Sequence, residues 1–143
     1  MTKIIVVSAP RSGTHMLVRM ISRAGHLPWK VPVQTSAISL INEESWVIGV
    51  HDIWENLKNF DACLIGLKRN KEGHMDSLSR FGMKYELWKD VIDSLPEDRT
   101  VDYSLLVNGN KKELYKLKKI TGIDGIVPEP YYKRYSGPFD WCM

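Results

Sequence analysis

The chain has 143 residues, a length for one domain with one sizeable core and too short for two ordinary domains. Apolar residues make up 43% and charged residues 26%, as in a soluble globular protein, and 20 basic against 17 acidic residues leave a net charge of +3. That mild excess points to no nucleic acid and suits a small polyanionic ligand. No apolar run approaches the roughly 18 residues of a membrane span, and Ile4–Val7 is too short for a signal peptide. Cys63 and Cys142 have no metal-ligand spacing, so no metal is expected. We expect a cytoplasmic protein with reduced thiols.

In chain order, Lys3 to Ser8 is a β-branched run that fits a strand buried on both faces. His15 to Ala24 reads as a helix, with Met16, Leu17, Met20 and Ile21 on one side and Gly25 as its C-cap. Leu27 to Thr35 is loop or irregular strand, and Ser36 to Asn42 a short helix. Trp46 to Val50 is a second strand ending at His51, and Asp61 to Leu67 a third ending at Lys68-Arg69. Asn70 caps a helix to about Arg80, and Lys84 to Leu95 is another helix stopped by Pro96. Thr100 to Tyr103 is a fourth strand. Lys111 to Thr121 is a helix with Leu114, Leu117 and Ile120 inward and Gly122 at its end. Strands alternating with helices predict an α/β fold, a parallel sheet with helices on both faces. The tail from Pro128 has no clear period.

Ser8-Ala9-Pro10-Arg11-Ser12-Gly13-Thr14-His15 joins the first strand to the first helix. Physically this is an anion site. The first helical N–H groups lack internal partners and carry the positive end of the helix dipole. Gly13 permits close backbone approach, and Arg11 adds a fixed charge with several donors. An NTP-binding loop needs Lys after its last Gly, where this chain has Thr14, and the third strand lacks a terminal acid to help hold Mg²⁺.

Pro10-Arg11-Ser12-Gly13-Thr14 resembles the 5′-phosphosulfate loop of sulfotransferases, which reads Pro-(Lys/Arg)-Ser-Gly-Thr. A second segment, Arg69-Asn70-Lys71-Glu72-Gly73-His74-Met75-Asp76-Ser77, resembles the family signature with Arg at a strand end and Ser eight positions on, with Lys71 in place of the family's Pro. A third, Val101-Asp102-Tyr103 with Leu105-Leu106, a helix and Gly122-Ile123, is similar to the family's Val-x-Tyr-Glu-Asp-Leu segment. Lys133-Arg134-Tyr135-Ser136-Gly137 with Asp140-Trp141 is a weaker echo of the family's C-terminal basic stretch, and reads better as a basic, aromatic surface tail.

The resemblance implies a P-loop-like sulfotransferase fold binding 3′-phosphoadenosine 5′-phosphosulfate (PAPS), with 3′,5′-phosphoadenosine as product. Arg11, Ser12, Gly13, Thr14 and His15 would line the 5′ end, with Arg11 stabilising charge in the transition state. Arg69 and Ser77 would bind the 3′-phosphate, and Tyr103 would lie beside the adenine. Cytosolic members carry a strand ending in Lys-Thr-His whose His is the general base. His51 matches in order, while Gly49 stands where the Lys would be. Other branches use a Glu, which keeps Glu43 and Glu44 open; His26 and His74 read as surface residues. Met16 replaces a Trp that stacks on adenine in cytosolic members, and the chain is shorter than typical members where acceptor pockets are built. The function implied is sulfuryl transfer to a hydroxyl or amine acceptor. A non-catalytic binder or sensor of the nucleotide and a P-loop kinase with an atypical loop remain alternatives.

Overall fold

The computed structural model describes residues 1–127. Its centre is a parallel sheet of five strands: β1 (Lys3–Val7), β2 (Trp29–Lys30), β3 (Trp46–Val50), β4 (Cys63–Lys68) and β5 (Thr100–Asp102), in the order β2-β3-β1-β4-β5. The α-helices are α1 (Thr14–Gly25), α2 (Lys71–Arg80), α3 (Lys89–Ser94), α4 (Tyr103–Val107) and α5 (Lys111–Thr121). No helix among the described residues is long and apolar enough to cross a membrane.

The strands carry apolar side chains on both sides because both faces are covered. Ile4 and Val6 of β1, Val47 of β3, Ile65 and Leu67 of β4 and Val101 of β5 share one cluster with Leu17, Ile21, Leu106 and Leu117 from the helices. Leu114 and Ile120 pack against it, partly buried. The alternate residues, Ile5, Val7, Ile48, Val50 and Leu64, form the second cluster. Here the cover differs from the expectation of helices on both faces. Val33, Ile38 and Leu57, with Trp54 and Phe60, come from 3₁₀ turns (Thr35–Leu40 and Trp54–Asn56) and their flanks, and Leu95 from just past α3.

Several boundaries also differ. Gly25 lies inside α1, and His26 takes the left-handed cap at φ 51°. An added Cβ at Gly25 would sit 3.1 Å from Leu27 and 3.2 Å from Ile123, so close packing is what favours glycine there. The expected helix from Lys84 to Leu95 divides into a 3₁₀ turn, Tyr85–Leu87, and α3. The expected helix from Ser36 to Asn42 is the 3₁₀ turn Thr35–Leu40. Tyr103 leaves the strand to open α4, because the Asp102 side chain accepts from the backbone N–H of Ser104 and Leu105 and caps a helix there.

The topology positions the site. From β1 the chain runs out to β2 and returns to β3, beside β1; from β4 it runs the opposite way to β5. Connections that part in opposite directions leave a crevice at the carboxyl ends of β1 and β4, where open α/β sheets bind ligands. The loops at this crevice are Ser8–Gly13 and Arg69-Asn70.

Candidate functional site

The loop after β1 is anchored at both ends. Ser8 N–H donates to the Val50 carbonyl at 3.2 Å, and the buried Ser8 and Thr14 hydroxyls lie 2.7 Å apart. Between them the chain turns through two left-handed residues, Arg11 at φ 64° and Gly13 at φ 96°. Gly13 is required twice over. A Cβ there would adopt a strained backbone and would fall 2.0 Å from Cδ1 of Tyr103, whose ring packs on the loop. Gly13 is also the N-cap residue of this 12-residue helix and supplies no side-chain cap. By contrast, α2, α4 and α5 are capped by the side chains of Asn70, Asp102 and Asn110.

Two guanidinium groups flank this loop. Arg69, past the end of β4, donates from Nη1 to the Arg11 carbonyl at 3.2 Å, and its guanidinium carbon stands 4.9 Å from the centre of the Tyr103 ring. Arg11 donates from Nε to Ser77 Oγ at 3.1 Å, and its guanidinium carbon lies 3.9 Å over the Phe81 ring. Among the described residues neither guanidinium pairs with a carboxylate; the ion pairs there join Lys58 to Glu55, Arg80 to Asp76 and Lys89 to Asp93. The structure thus brings Arg11, Ser12, Gly13, Thr14, Arg69, Ser77 and Tyr103 to one end of the sheet. His15 sits one residue into α1, half-buried and edge-on to Trp29 at 6.3 Å. Burial lowers its pKa, and the charge of Arg11 adds to the effect.

His74 corrects the reading of a surface residue. It is 1% exposed, and its Nε2 lies 2.8 Å from the Pro10 carbonyl and 3.3 Å from Ser12 Oγ. A carbonyl only accepts, so Nε2 carries the proton and donates to Pro10. The ring ties α2 to the loop, with Tyr85 edge-on at 5.7 Å. Burial holds the His74 pKa below the ordinary imidazole value; the Pro10 bond opposes the shift and Arg69 adds to it. A mostly polar helix gives no local signal for this contact, which spans 64 residues. The one clue is that His74 shares a helical face with Ser77 and Leu78, both buried.

His51 follows β3 at the same end of the sheet. Its Nδ1 lies 2.9 Å from the Ser8 carbonyl, so by the same argument Nδ1 is the donor and Nε2 keeps a lone pair. Burial lowers its pKa, the Ser8 bond resists and His15 adds to the drop. A neutral imidazole held in this tautomer is equipped to accept a proton near pH 7. His51 lines a cavity of about 480 Å³ with Pro32, Val33, Gln34, Thr35, Val50 and Asp52 among its walls. The Asp52 carboxylate accepts from Thr35 Oγ1 at 2.5 Å, Asn56 Nδ2 at 2.9 Å and Ile53 N–H at 2.7 Å. Burial pushes its pKa up, but these bonds prevail and the net shift is downward.

Glu43 and Glu44 precede β3 and lie at the opposite edge of the sheet. The five residues of β3 separate them from His51, roughly 16 Å at about 3.3 Å per residue. They belong to no shared site with the loop. Gly49, which stands where cytosolic sulfotransferases carry Lys, faces α1: a Cβ would stand 2.7 Å from Thr14 Cγ2 and 3.0 Å from Val31. Met16 is 2% exposed in the core, so it offers no face for a base to stack on. Lys133, Arg134, Asp140, Trp141 and Cys142 lie outside the described residues. No family model matches the chain, and no curated protein matches it.

Proposed function

We propose that the chain has a P-loop-like sulfotransferase fold, binds PAPS at the loop after β1, and transfers its sulfuryl group to a hydroxyl or amine. One observation carries this reading. A helix N-terminus without a side-chain cap, a loop of small residues and two guanidinium groups that pair with no carboxylate among the described residues meet at the topological crevice. Such a cluster of positive potential favours a ligand with more than one phosphate-like group. The resemblance of Arg11 to Thr14 and of Arg69 and Ser77 to the sulfotransferase signatures then supports a ligand with a 3′-phosphate as well as a 5′ end.

In this scheme His51 Nε2 takes the proton of the acceptor as its oxygen or nitrogen forms a bond to sulfur. The bond from sulfur to the 5′-phosphate oxygen breaks, and 3′,5′-phosphoadenosine leaves. Arg11, the Ser12 hydroxyl and the N–H groups opening α1 stabilise the charge gained by the leaving oxygens. The cavity beside His51 is where the acceptor enters. A non-catalytic binder or sensor of the same nucleotide is the second reading, favoured by Gly49, which stands where cytosolic members carry a Lys.

The experiment that separates the two is transfer of radiolabelled sulfate from PAPS to a panel of hydroxyl and amine acceptors. Labelled product under turnover is expected. Nucleotide binding with no transfer to any acceptor would favour the sensor.

A further inference from the structure

Phe81 stands at the C-cap of α2 with 57% of its surface exposed. An aromatic ring so open to water contributes little to the core, and neither apolar cluster contains it. Its close polar neighbour is the Arg11 guanidinium, whose carbon sits 3.9 Å from the ring centre. Ser77, four residues earlier on the same side of the helix end, receives the Nε–H of Arg11 at 3.1 Å. Ser77 and Phe81 therefore make a two-point seat for a side chain that begins 66 residues away from Ser77.

The seat has a consequence for charge. Arginine has donors and no acceptor, so Ser77 Oγ must be the acceptor here, and its own hydrogen remains available to an anion. Arg11 itself is a long, exposed side chain, and holding it in one place costs rotamer entropy. A stack on an aromatic face offsets part of that cost before any ligand arrives. The companion Arg69 is treated alike, over Tyr103 at 4.9 Å. Tyr103 has a second task, since its ring also fills the space beside Gly13. Phe81 has no such task among the described contacts.

We infer that Phe81 is a positioning residue that acts through Arg11: its ring holds the guanidinium at the mouth of the loop and so sets the loop's affinity for an oxyanion. This rests on reading the loop as an oxyanion site.

The test is calorimetry on the full chain with two probes, 3′,5′-phosphoadenosine and inorganic pyrophosphate. The variants are Phe81→Ala, Phe81→Tyr, Arg11→Ala and the double Arg11→Ala/Phe81→Ala, each first shown by thermal melting to be folded. Phe81→Ala is expected to weaken binding about three- to tenfold, the reach of a partly exposed cation–π contact. Phe81→Tyr should bind like the parent, because the ring is retained. The double variant should bind no more weakly than Arg11→Ala, since a ring that works through Arg11 has nothing to do once Arg11 is gone. Unchanged affinity in Phe81→Ala, or losses that multiply in the double variant, would overturn the inference. If pyrophosphate binds and the nucleotide does not, the nucleotide assignment fails while the Phe81 comparison is read from pyrophosphate. If the parent binds neither probe, the oxyanion reading and the inference fail together.

Discussion

The two halves of the crevice are built from different chemistry. On the side of β1 and β4, charge is permanent: Arg11 and Arg69 are held by aromatic rings and backbone or hydroxyl oxygens, with no carboxylate to neutralise them among the described residues. On the side of β3, the candidate base is a neutral group. His51 is kept short of a proton by burial and is fixed in one tautomer by the Ser8 carbonyl. The Ser8 residue belongs to both halves, since its amide bonds Val50 and its hydroxyl meets Thr14. Under the proposed function, binding and proton transfer fall to separate groups. Substitutions on the first side should be felt as affinity or as leaving-group stabilisation, and those on the second as turnover alone.

The largest expected effect is on the neutral side. His51→Ala should lower kcat by about 10²–10⁴, the usual worth of a positioned general base, with nucleotide affinity nearly unchanged. Steady-state kinetics and calorimetry on the same preparation would check both halves of the statement. Because burial depresses the pKa of His51, the rate in the parent should rise with pH through an inflection below the ordinary value of about 6.5. A His51→Ala protein that turns over like the parent would place the base elsewhere.

On the charged side, Arg11→Ala should lower kcat by roughly 10²–10³, the size of a lost oxyanion donor, and Arg11→Lys should keep much of the activity. A loss confined to affinity would make Arg11 an anchor. Arg69→Ala should reduce the preference for a 3′-phosphate by roughly 1.5–3 kcal/mol, the range of a hydrogen bond to a charged group. Competition between 3′,5′-phosphoadenosine and AMP measures that preference directly.

The smallest effect concerns stability and both sides at once. His15, His51 and His74 all have pKa values lowered in the folded protein, chiefly by burial. A histidine depressed in this way binds fewer protons folded than unfolded. Its contribution to stability is present above the unfolded value of about 6.5 and is lost as pH falls through the folded value. The melting temperature should therefore drop between about pH 7 and 5, and His74→Gln, which removes one titrating ring, should flatten that slope. An unchanged slope in His74→Gln would show that His74 takes no part in it.

Much of this architecture was legible in local sequence. β3 and α5 occupy the residues their apolar pattern and turn residues indicate, and Asn70 caps α2 where expected. The segments read as phosphate-binding converge because the parallel sheet brings the carboxyl ends of β1 and β4 side by side, with Val6 opposite Ile65 and Val7 opposite Gly66. What local pattern missed depends on distant partners. His74 is buried by Pro10, and Phe81 is engaged by Arg11; neither partner lies within a helical turn. The Lys84–Leu95 helix failed for a related reason: Leu87 is 75% exposed, so the apolar residues there do not form one buried stripe. The close packing of Gly49 against Thr14 and Val31 likewise has no local signal.

The most direct test of the central claim is calorimetry of the parent chain in EDTA with 3′,5′-phosphoadenosine, AMP and ATP. The account predicts that 3′,5′-phosphoadenosine binds without a divalent cation and at least tenfold more tightly than AMP, a margin of about 1.4 kcal/mol from the contacts of Arg69 and Ser77 to the 3′-phosphate. Equal affinity for 3′,5′-phosphoadenosine and AMP would contradict it, as would binding of ATP that appears only when Mg²⁺ is restored.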